Sequence, residues 1–208
     1  MKIAIIGAGE VGLTLGKKWL AKKHDVVFGS RPASLTKHRE RLTSSGVEAK
    51  VDVIEAAARD ADVIVLAVPH EQTLEVADSL RDLKNKTIVD VSNWALPGWS
   101  GLKLGFTTSG AEEVQKHVPQ SHVVKAFNHY GAGVMADPQF GDRKAVLYFC
   151  GSNAEALNKV SQLVEEAGFE GVGVNDLKFA RALEPLAQIW VAGIKRFGPQ
   201  HALALLRR

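Results

Sequence analysis

A glycine motif follows the first apolar segment of the chain. Residues 2–6 are apolar apart from Lys2, and they lead directly into a hexapeptide of the form G-x-G-x-x-G, Gly7-Ala8-Gly9-Glu10-Val11-Gly12. The first glycine of this motif permits a tight turn, the second lets the backbone approach a pyrophosphate, and the third lets a helix pack closely on the strand. Because unpaired N–H groups at a helix start attract phosphate, these residues predict a nucleotide-binding turn. The alternative is a turn of the same shape that binds no ligand.

The residues that end the second predicted strand indicate which dinucleotide fits. Proteins that bind NAD usually place an acidic residue about 20 residues after the glycines, where it hydrogen-bonds the ribose 2′-hydroxyl. Here the chain reads Phe28-Gly29-Ser30-Arg31-Pro32, with no acid. The Ser30 hydroxyl can donate to a 2′-phosphate and the Arg31 guanidinium can bind it through two N–H groups, while Lys37 and His38 add positive charge. This favours NADP(H) over NAD(H), and an ordinary exposed arginine is the other interpretation of Arg31.

Several further strands end at the same predicted edge of the sheet. The segment Ala67-Val68-Pro69 closes the fourth strand and is predicted to line the ribose side of the cofactor. Asn93 and Asn128 follow the fifth and sixth strands, where each is either a ligand contact or a turn residue. His70 and His129 also fall at this edge. We interpret His70 as a surface residue at a helix start, and His129 is either a substrate contact or structural.

No set of residues points to acid–base, nucleophilic or metal catalysis. The sequence shows no Ser/His/Asp combination, no catalytic lysine with a positioned carboxylate and no spacing typical of metal ligands, so we assign no catalytic residue and no metal site. Trp94 and Trp99 lie in a glycine-rich segment, residues 93–108, that is predicted to be a loop. They either cover a planar ligand or anchor the loop.

Strands alternate with helices through most of the chain. Apolar runs predict strands at residues 2–6, 26–28, 47–51, 63–68, 87–91, 122–127 and 145–150. Helical periodicity predicts helices at residues 10–21, 33–44, 53–59 and 71–81, and capping-box signals predict two more that begin at Ser109 and Ser152. Short right-handed links between such elements imply an α/β fold of the Rossmann type, a doubly wound and mainly parallel sheet with helices on both faces.

The last part of the chain is predicted to be helical, with Pro185 and Pro199 dividing it. We therefore expect a Rossmann NADP-binding domain at residues 1–175 and a small C-terminal helical cap at residues 176–208. Apolar residues of the cap recur at near-helical spacing and pack either on the sheet or on a second subunit, and a homodimer is the expected assembly because two-fold pairs are the commonest. These residues are Leu183, Leu186, Ile189, Trp190 and Ile194.

Composition excludes several classes of protein. The chain has 208 residues, of which 46% are hydrophobic and 24% charged, and this suits one globular domain better than a disordered or coiled-coil chain. The net charge of +3 is not clustered, so nucleic acid is not an expected partner. The single Cys150 can form no internal disulfide, which indicates a reducing compartment and hence the cytoplasm. No apolar run reaches the ~20 residues of a membrane span, and the first is too short for a signal peptide.

Several motifs together resemble one known family. GAGEVG and LAVP are widespread among dinucleotide-binding proteins, whereas VVKAFN with the following GAGVMADP, read together with FGSRP and the later LEPLA, is more specific. Over nearly the whole chain, residues 2–206, these motifs resemble the NADP oxidoreductases that depend on the deazaflavin coenzyme F420. The cytosolic domains of the six-transmembrane ferric reductases are similar over the same motifs. We expect that second resemblance to end at the NADPH-binding domain.

The resemblance implies a function and the residues that serve it. In this family NADPH lies across the strand edge, and hydride passes between its nicotinamide and a stacked deazaflavin or flavin. Residues 7–12 then bind the pyrophosphate, Ser30 and Arg31 the 2′-phosphate, and Val68-Pro69 the ribose side. The segment Ala126-Phe127-Asn128 lies at the nicotinamide. Coenzyme F420 or FMN/FAD is the implied small-molecule ring acceptor.

Two other functions remain as alternatives. Reductases of small imines or hydroxy acids share a similar first half, but they carry a long helical second domain, and only 58 residues (208 − 150) follow Cys150 here. Their reaction also needs a positioned proton donor. A noncatalytic NADPH sensor or partner-binding module is the third possibility, and it would not oxidise NADPH with a ring acceptor.

Overall fold

This computed structural model describes residues 1–207, which contain ten strands and eight α-helices. The strands are β1 (Lys2–Ile6), β2 (Asp25–Ser30), β3 (Lys50–Val53), β4 (Val63–Leu66), β5 (Thr87–Asp90), β6 (His122–Lys125), β7 (Gln139–Phe140), β8 (Arg143–Lys144), β9 (Val146–Gly151) and β10 (Glu170–Val174). The helices are α1 (Glu10–Ala21), α2 (Leu35–Ser44), α3 (Ile54–Arg59), α4 (His70–Ser79), α5 (Gly110–His117), α6 (Ala132–Ala136), α7 (Ala154–Glu166) and α8 (Ala180–Phe197). Every strand and helix predicted before residue 168 is present, with its ends shifted by at most three residues.

Eight of the strands form one sheet in the order β3-β2-β1-β4-β5-β6-β9-β10. Neighbouring strands are parallel except for the antiparallel pair of β6 and β9, and β7 and β8 form a separate antiparallel hairpin. This arrangement confirms the predicted Rossmann-type α/β fold with a doubly wound, mainly parallel sheet. The strand order reverses between β1 and β4, and ligands of such sheets bind at the carboxyl ends of the strands near that reversal.

The central strands are buried on both faces, which explains their continuous apolar runs. Every residue of β4 and β5 is buried. Alternate residues of β1 enter two cores: Ile3 and Ile5 pack with α1 and α7 on one face, whereas Ala4 and Ile6 pack with α3, α4 and α5 on the other. Because both faces are filled, a slip of β1 by one residue would exchange the two sets, so packing fixes the register and the carboxyl edge.

One of the two predicted capping boxes begins where expected. Ser109 precedes α5, and its hydroxyl oxygen accepts a hydrogen bond from a backbone N–H in the first turn at 3.2 Å. The prediction for Ser152 is wrong. The Asn153 side chain caps α7 by accepting from the Ala156 N–H at 2.9 Å, and the Ser152 hydroxyl accepts from the Leu177 N–H at 3.0 Å. Helix α7 begins one residue later than predicted, because the Ser152 hydroxyl is engaged by the distant Leu177 and Asn153 caps the helix in its place.

The C-terminal segment differs from its prediction in two ways. Pro185 lies inside the continuous helix α8 and does not divide it. Leu183 and Ala187 on either side are buried, so packing holds the helix where the proline removes one backbone hydrogen bond. After α8 the chain, as far as residue 207, is not helical. It returns beside the sheet, where the Val146 N–H donates to the Leu203 carbonyl at 2.9 Å.

Four elements were not predicted from the sequence. Strand β10 has the sequence EGVGV and lies at the sheet edge, where none of its residues is fully buried. Helix α6 has five residues, and β7 and β8 have two residues each. Segments this short do not show a clear period. The division of the chain into a domain at 1–175 and a cap at 176–208 stays a prediction.

Candidate functional site

The three motif glycines meet three different steric demands. Gly7 has φ +107°, and a Cβ built on it would collide with the Ala67 carbonyl oxygen, so the turn between β1 and α1 requires glycine. A Cβ on Gly12 would collide with the Gly7 carbonyl oxygen because α1 packs directly on the turn. A Cβ on Gly9 meets nothing within 4 Å. The backbone at Gly9 therefore faces open space, as the approach of a ligand requires.

The first turn of α1 follows directly after Gly9, and no side chain caps its backbone N–H groups. Helix α1 begins at Glu10, with Gly9 as the N-cap residue and no side chain as a cap. Its first turn consists of Glu10, which is exposed, Val11, which is half-buried, and Gly12. Uncapped N–H groups and the positive end of the helix dipole favour an anion here.

A cleft of about 240 Å³ lies over the glycine turn, between the ends of β1, β2 and β4 and the start of α2. It brings together ten of the residues predicted from the sequence: Gly7, Ala8, Gly9, Ser30, Arg31, Lys37, His38, Ala67, Val68 and Pro69. The other residues that line it are Ile6, Gly29, Ser34, Ile54, Gln72 and Val76. Ile54, Gln72 and Val76 were not expected, because a helix signal alone does not show which residues of α3 and α4 face a cleft.

Positive charge gathers at the end of the cleft beside β2. Arg31 and Lys37 are exposed there, whereas His38 is half-buried. Ser30 is buried, and its hydroxyl donates to the Arg31 carbonyl at 3.1 Å. Burial and the neighbouring cations Lys37, Arg41 and Arg31 lower the pKa of the His38 ring below its ordinary value. An electropositive pocket with hydroxyl and guanidinium donors suits a phosphate group.

The predicted nicotinamide segment lies outside this cleft. Ala126 and Phe127 are fully buried, and Phe127 has φ +55° at the turn that follows β6. The Asn128 amide donates to Asn93 Oδ1 at 3.0 Å and to the Leu183 carbonyl at 2.8 Å, and the Asn93 amide donates to the Asn128 carbonyl at 2.6 Å. These side chains bind protein groups, so a ligand would meet the segment through main-chain atoms. Its contact with nicotinamide stays a prediction.

The two histidines at this edge differ in their surroundings. His70 is the first residue of α4 and is half-buried, with its ring centroid 5.9 Å from that of Trp94. His129 has no exposed surface, and its ring packs against Tyr130 with a centroid distance of 4.6 Å. Burial lowers the pKa of His129 to about 4, so its ring is neutral near pH 7. This favours the structural interpretation of His129.

The loop between β5 and α5, residues 91–109, is held at several points. Ala95 and Leu102 form an isolated antiparallel bridge. Trp94 packs so closely on Gly110 that a Cβ there would collide with its ring. Phe106, in contrast, is 89% exposed. Trp94 therefore anchors the loop to the start of α5, which was one of its two interpretations.

Sequence reasoning missed a buried network of charged side chains around Lys125. Lys125 Nζ lies 2.8 Å from Asp90 Oδ2 and 3.1 Å from Glu184 Oε1, and all three side chains are buried. Lys125 also donates to the Ser92 carbonyl at 2.5 Å. The available signal was three charged residues inside otherwise apolar runs, TIVDV, HVVKAF and LEPLA.

The single positive charge of Lys125 balances only one of the two carboxylate charges in this network. Burial by itself would lower the pKa of Lys125, but Asp90 and Glu184 together outweigh it, so the pKa is held above its ordinary value. The Glu184 carboxylate also accepts hydrogen bonds from the N–H groups of Gly110 at 3.2 Å and Ala111 at 3.4 Å, at the start of α5. Lys125 is therefore charged and fully engaged, and its role is to hold α5, α8 and the strand ends together.

Within residues 1–207 no group of three or more His, Cys, Asp and Glu side chains is arranged to hold a metal ion. No helix in that range combines the length and the apolar character needed to cross a membrane. Burial raises the pKa of the Cys150 thiol to about 12, so this thiol is un-ionised near pH 7.

The fold and the family comparison together define the protein as an NADP-dependent oxidoreductase. A family model described as NADP oxidoreductase, coenzyme F420-dependent, matches residues 2–94. The F420-dependent NADP reductase of Methanocaldococcus jannaschii is 30% identical over 208 aligned positions, which cover 92% of this chain and 91% of that protein. The chain belongs to this family of F420-dependent NADP oxidoreductases.

Two further likenesses extend the comparison. The metalloreductase STEAP3 of Rattus norvegicus is 31% identical over 186 positions, which cover 89% of this chain and 36% of that protein. The chain thus spans about a third of the length of STEAP3. The crystal structure of a putative F420-dependent NADP reductase from Arthrobacter superposes with a TM-score of 0.87 at 24% identity over the whole of both chains, and it shows the same fold.

Proposed function

We propose that this protein transfers hydride between NADP(H) and the deazaflavin coenzyme F420. The observation that carries the proposal is one continuous cleft that joins the glycine turn to the cationic pocket beside β2. The name of the Methanocaldococcus jannaschii relative, which aligns over almost the whole chain, supports F420 as the partner.

The residues of the cleft fit an NADP dinucleotide. The open backbone at Gly9 and the uncapped start of α1 suit the pyrophosphate. Ser30 and Arg31, with Lys37 beside them, suit the 2′-phosphate, and no carboxylate lines this cleft to repel it. Val68 and Pro69 would line the ribose side. NADPH, when bound, supplies the hydride.

The protein itself would hold the two rings in position and exclude water from them. Transfer of hydride between two stacked rings needs close approach and alignment, and no side chain has to give or take a proton. The edge of the sheet fits this requirement, because His129 is neutral and buried and Lys125 is occupied by its carboxylates. We place the nicotinamide at Ala126-Phe127-Asn128 and the acceptor ring beside the loop of residues 91–109.

The test is anaerobic oxidation of NADPH by the purified protein with F420, FMN or FAD offered separately. We expect rapid oxidation with F420. Arg31→Ala should raise the KM for NADPH by about 10- to 100-fold, because charge-assisted hydrogen bonds contribute about 1.5–3 kcal/mol. Arg81→Ala removes an exposed arginine in the turn after α4 and serves as the matched control, with unchanged KM.

A flavin acceptor is the second candidate, because the resemblance of the sequence motifs implies either a deazaflavin or a flavin as the ring acceptor. Oxidation of NADPH with FMN or FAD and not with F420 would replace the first proposal by this one. Tight NADPH binding without turnover on any of the three would instead favour a sensor or a reductase of small molecules. A homodimer and a cytoplasmic location stay predictions, which light scattering and fractionation would test.

A further inference from the structure

One residue that lines the cleft has a buried ring nitrogen without a hydrogen-bond partner. His38 belongs to α2 and lines the cleft together with Arg31 and Ser34. Its Nδ1 atom is buried and has no hydrogen-bond partner in the part of the chain from residue 1 to 207. Native structures rarely leave a buried polar atom unsatisfied without a reason. We propose that protonated His38 recognises the 2′-phosphate, so that binding of NADP(H) takes up a proton and binding of NAD(H) does not; this rests on the proposed NADP(H) site.

The free protein keeps His38 uncharged. Burial comes first among the causes that lower the pKa of its ring, followed by three nearby cations: Lys37 and Arg41 of α2 and Arg31 after β2. The ring is therefore neutral near pH 7. Two carboxylates line an adjoining pocket of about 130 Å³ that shares Arg31 with the cleft, and these are Glu55 on α3 and Glu75 on α4.

A phosphate monoester bound beside His38 favours the protonated form of its ring. It carries a charge of about −1.5 to −2 near pH 7, and an anion next to an imidazole favours the protonated ring. The same anion offsets the repulsion that Arg31 and Lys37 exert on a positive His38. NAD(H) has a hydroxyl at this position and brings no such charge. His38 therefore discriminates between the two cofactors through its protonation.

The linkage to pH has a definite sign. Because the pKa of His38 is lower in the free protein than in the complex, affinity for NADP⁺ falls as the pH rises between the two values, by up to about tenfold per pH unit for one linked proton. Ionisation of the phosphate itself, with a pKa of about 6, acts in the opposite direction because cations prefer the dianion. Replacing His38 separates the two contributions.

Calorimetric titration without any acceptor measures the proton directly. NADP⁺ and NAD⁺ are titrated into the protein near pH 7, in two buffers that differ in their enthalpy of ionisation. We expect the wild type to take up a fraction of a proton with NADP⁺ and none with NAD⁺. In His38→Gln this uptake is lost, and the Kd for NADP⁺ rises about tenfold. His122→Gln, at the start of β6 on the opposite edge of the sheet, is the matched control and behaves like the wild type.

The outcomes separate this inference from the proposed function. NADP⁺ binding without proton uptake, or uptake that persists in His38→Gln, overturns the role of His38 and leaves the NADP(H) site standing. Failure of NADP⁺ to bind overturns the proposed site itself. If His38→Gln folds poorly, ¹⁵N NMR of the wild-type ring with and without 2′,5′-ADP replaces it. The His38 nitrogens must then change from a neutral to a protonated pattern, and an unchanged pattern contradicts the proposal.

Discussion

Lys125 Nζ lies 3.1 Å from Glu184 Oε1, and neither side chain exposes more than 1% of its surface. The contact joins β6 to α8, which are separated by 59 positions along the chain (184 − 125). Asp90 on β5 completes the group at 2.8 Å from Lys125. These charges fasten the C-terminal helix to the carboxyl edge of the sheet, directly before the segment proposed to hold the nicotinamide.

Removing the lysine should destabilise the fold. Lys125→Met leaves the carboxylates of Asp90 and Glu184 buried without a counter-charge, and loss of one partner from a buried pair lowers the free energy of unfolding by about 3–5 kcal/mol. Urea denaturation followed by circular dichroism measures it. Lys116→Met breaks an exposed pair with Glu113 and should cost at most about 1 kcal/mol. Equal losses in the two variants would show that the buried network does not stabilise the fold.

Removing one of the two carboxylate charges should be less harmful. The group contains one lysine and two carboxylates, so Glu184→Gln leaves Lys125 paired with Asp90. The glutamine oxygen can still accept from the start of α5, where Glu184 now binds. We expect a loss of about 1–3 kcal/mol in the same denaturation assay, below that of Lys125→Met. A larger loss for Glu184→Gln than for Lys125→Met would contradict this account of the charges.

Alanine substitutions of two motif glycines should differ in their effects on the melting temperature, although both should weaken NADPH binding. Gly12→Ala places a methyl group against the Gly7 carbonyl oxygen and should lower both the melting temperature and NADPH affinity. Gly9→Ala has room for its methyl group in the free protein, so we expect a melting temperature close to that of the wild type. Its affinity for NADPH should fall at least about tenfold, because the methyl group enters the space of the pyrophosphate. Unchanged affinity in Gly9→Ala would place the dinucleotide elsewhere.

A carboxylate that joins α5 to the first turn of α8 should make stability depend on pH. The Arg181 guanidinium binds both oxygens of Glu112 and holds the pKa of that carboxyl below its ordinary value. A lowered folded-state pKa adds stability above the unfolded-state pKa, and this stability is lost as the pH falls through the folded-state pKa. Glu112→Gln should therefore cost about 1 kcal/mol near pH 7 and nothing once the pH lies below the lowered pKa.

The control for that experiment is a carboxylate on the surface. Glu155 pairs with Lys159 on α7 and is fully exposed. Thermal unfolding of Glu112→Gln, Glu155→Gln and the wild type at several pH values compares the two sites. A pH-independent difference between Glu112→Gln and the wild type would mean that the glutamate acts through its shape and hydrogen bonds, not its charge.

Local patterns were enough to predict most of the architecture. Apart from α6 and the β7–β8 hairpin, the order of strands and helices up to residue 168 follows from short stretches of sequence, and so do the Rossmann class and the glycine turn. They do so because a buried parallel strand needs an apolar run, an amphipathic helix needs its period, and the turn at Gly7 needs a positive φ. The Ser30-Arg31 pair could also be predicted locally, since it stands at the carboxyl end of β2, which faces the cleft.

Only the tertiary structure decided the long-range partners. It alone shows that Asp90, Lys125 and Glu184 meet, that Asn93 and Asn128 bind each other, and that His38 faces the cleft. The antiparallel direction of β9 and the continuity of α8 through Pro185 belong here too. These features depend on groups that are far apart in sequence, and burial makes their pairing favourable only after the sheet has brought them together. Periodicity and motif spacing record which residues are local neighbours, and they carry no information about such partners.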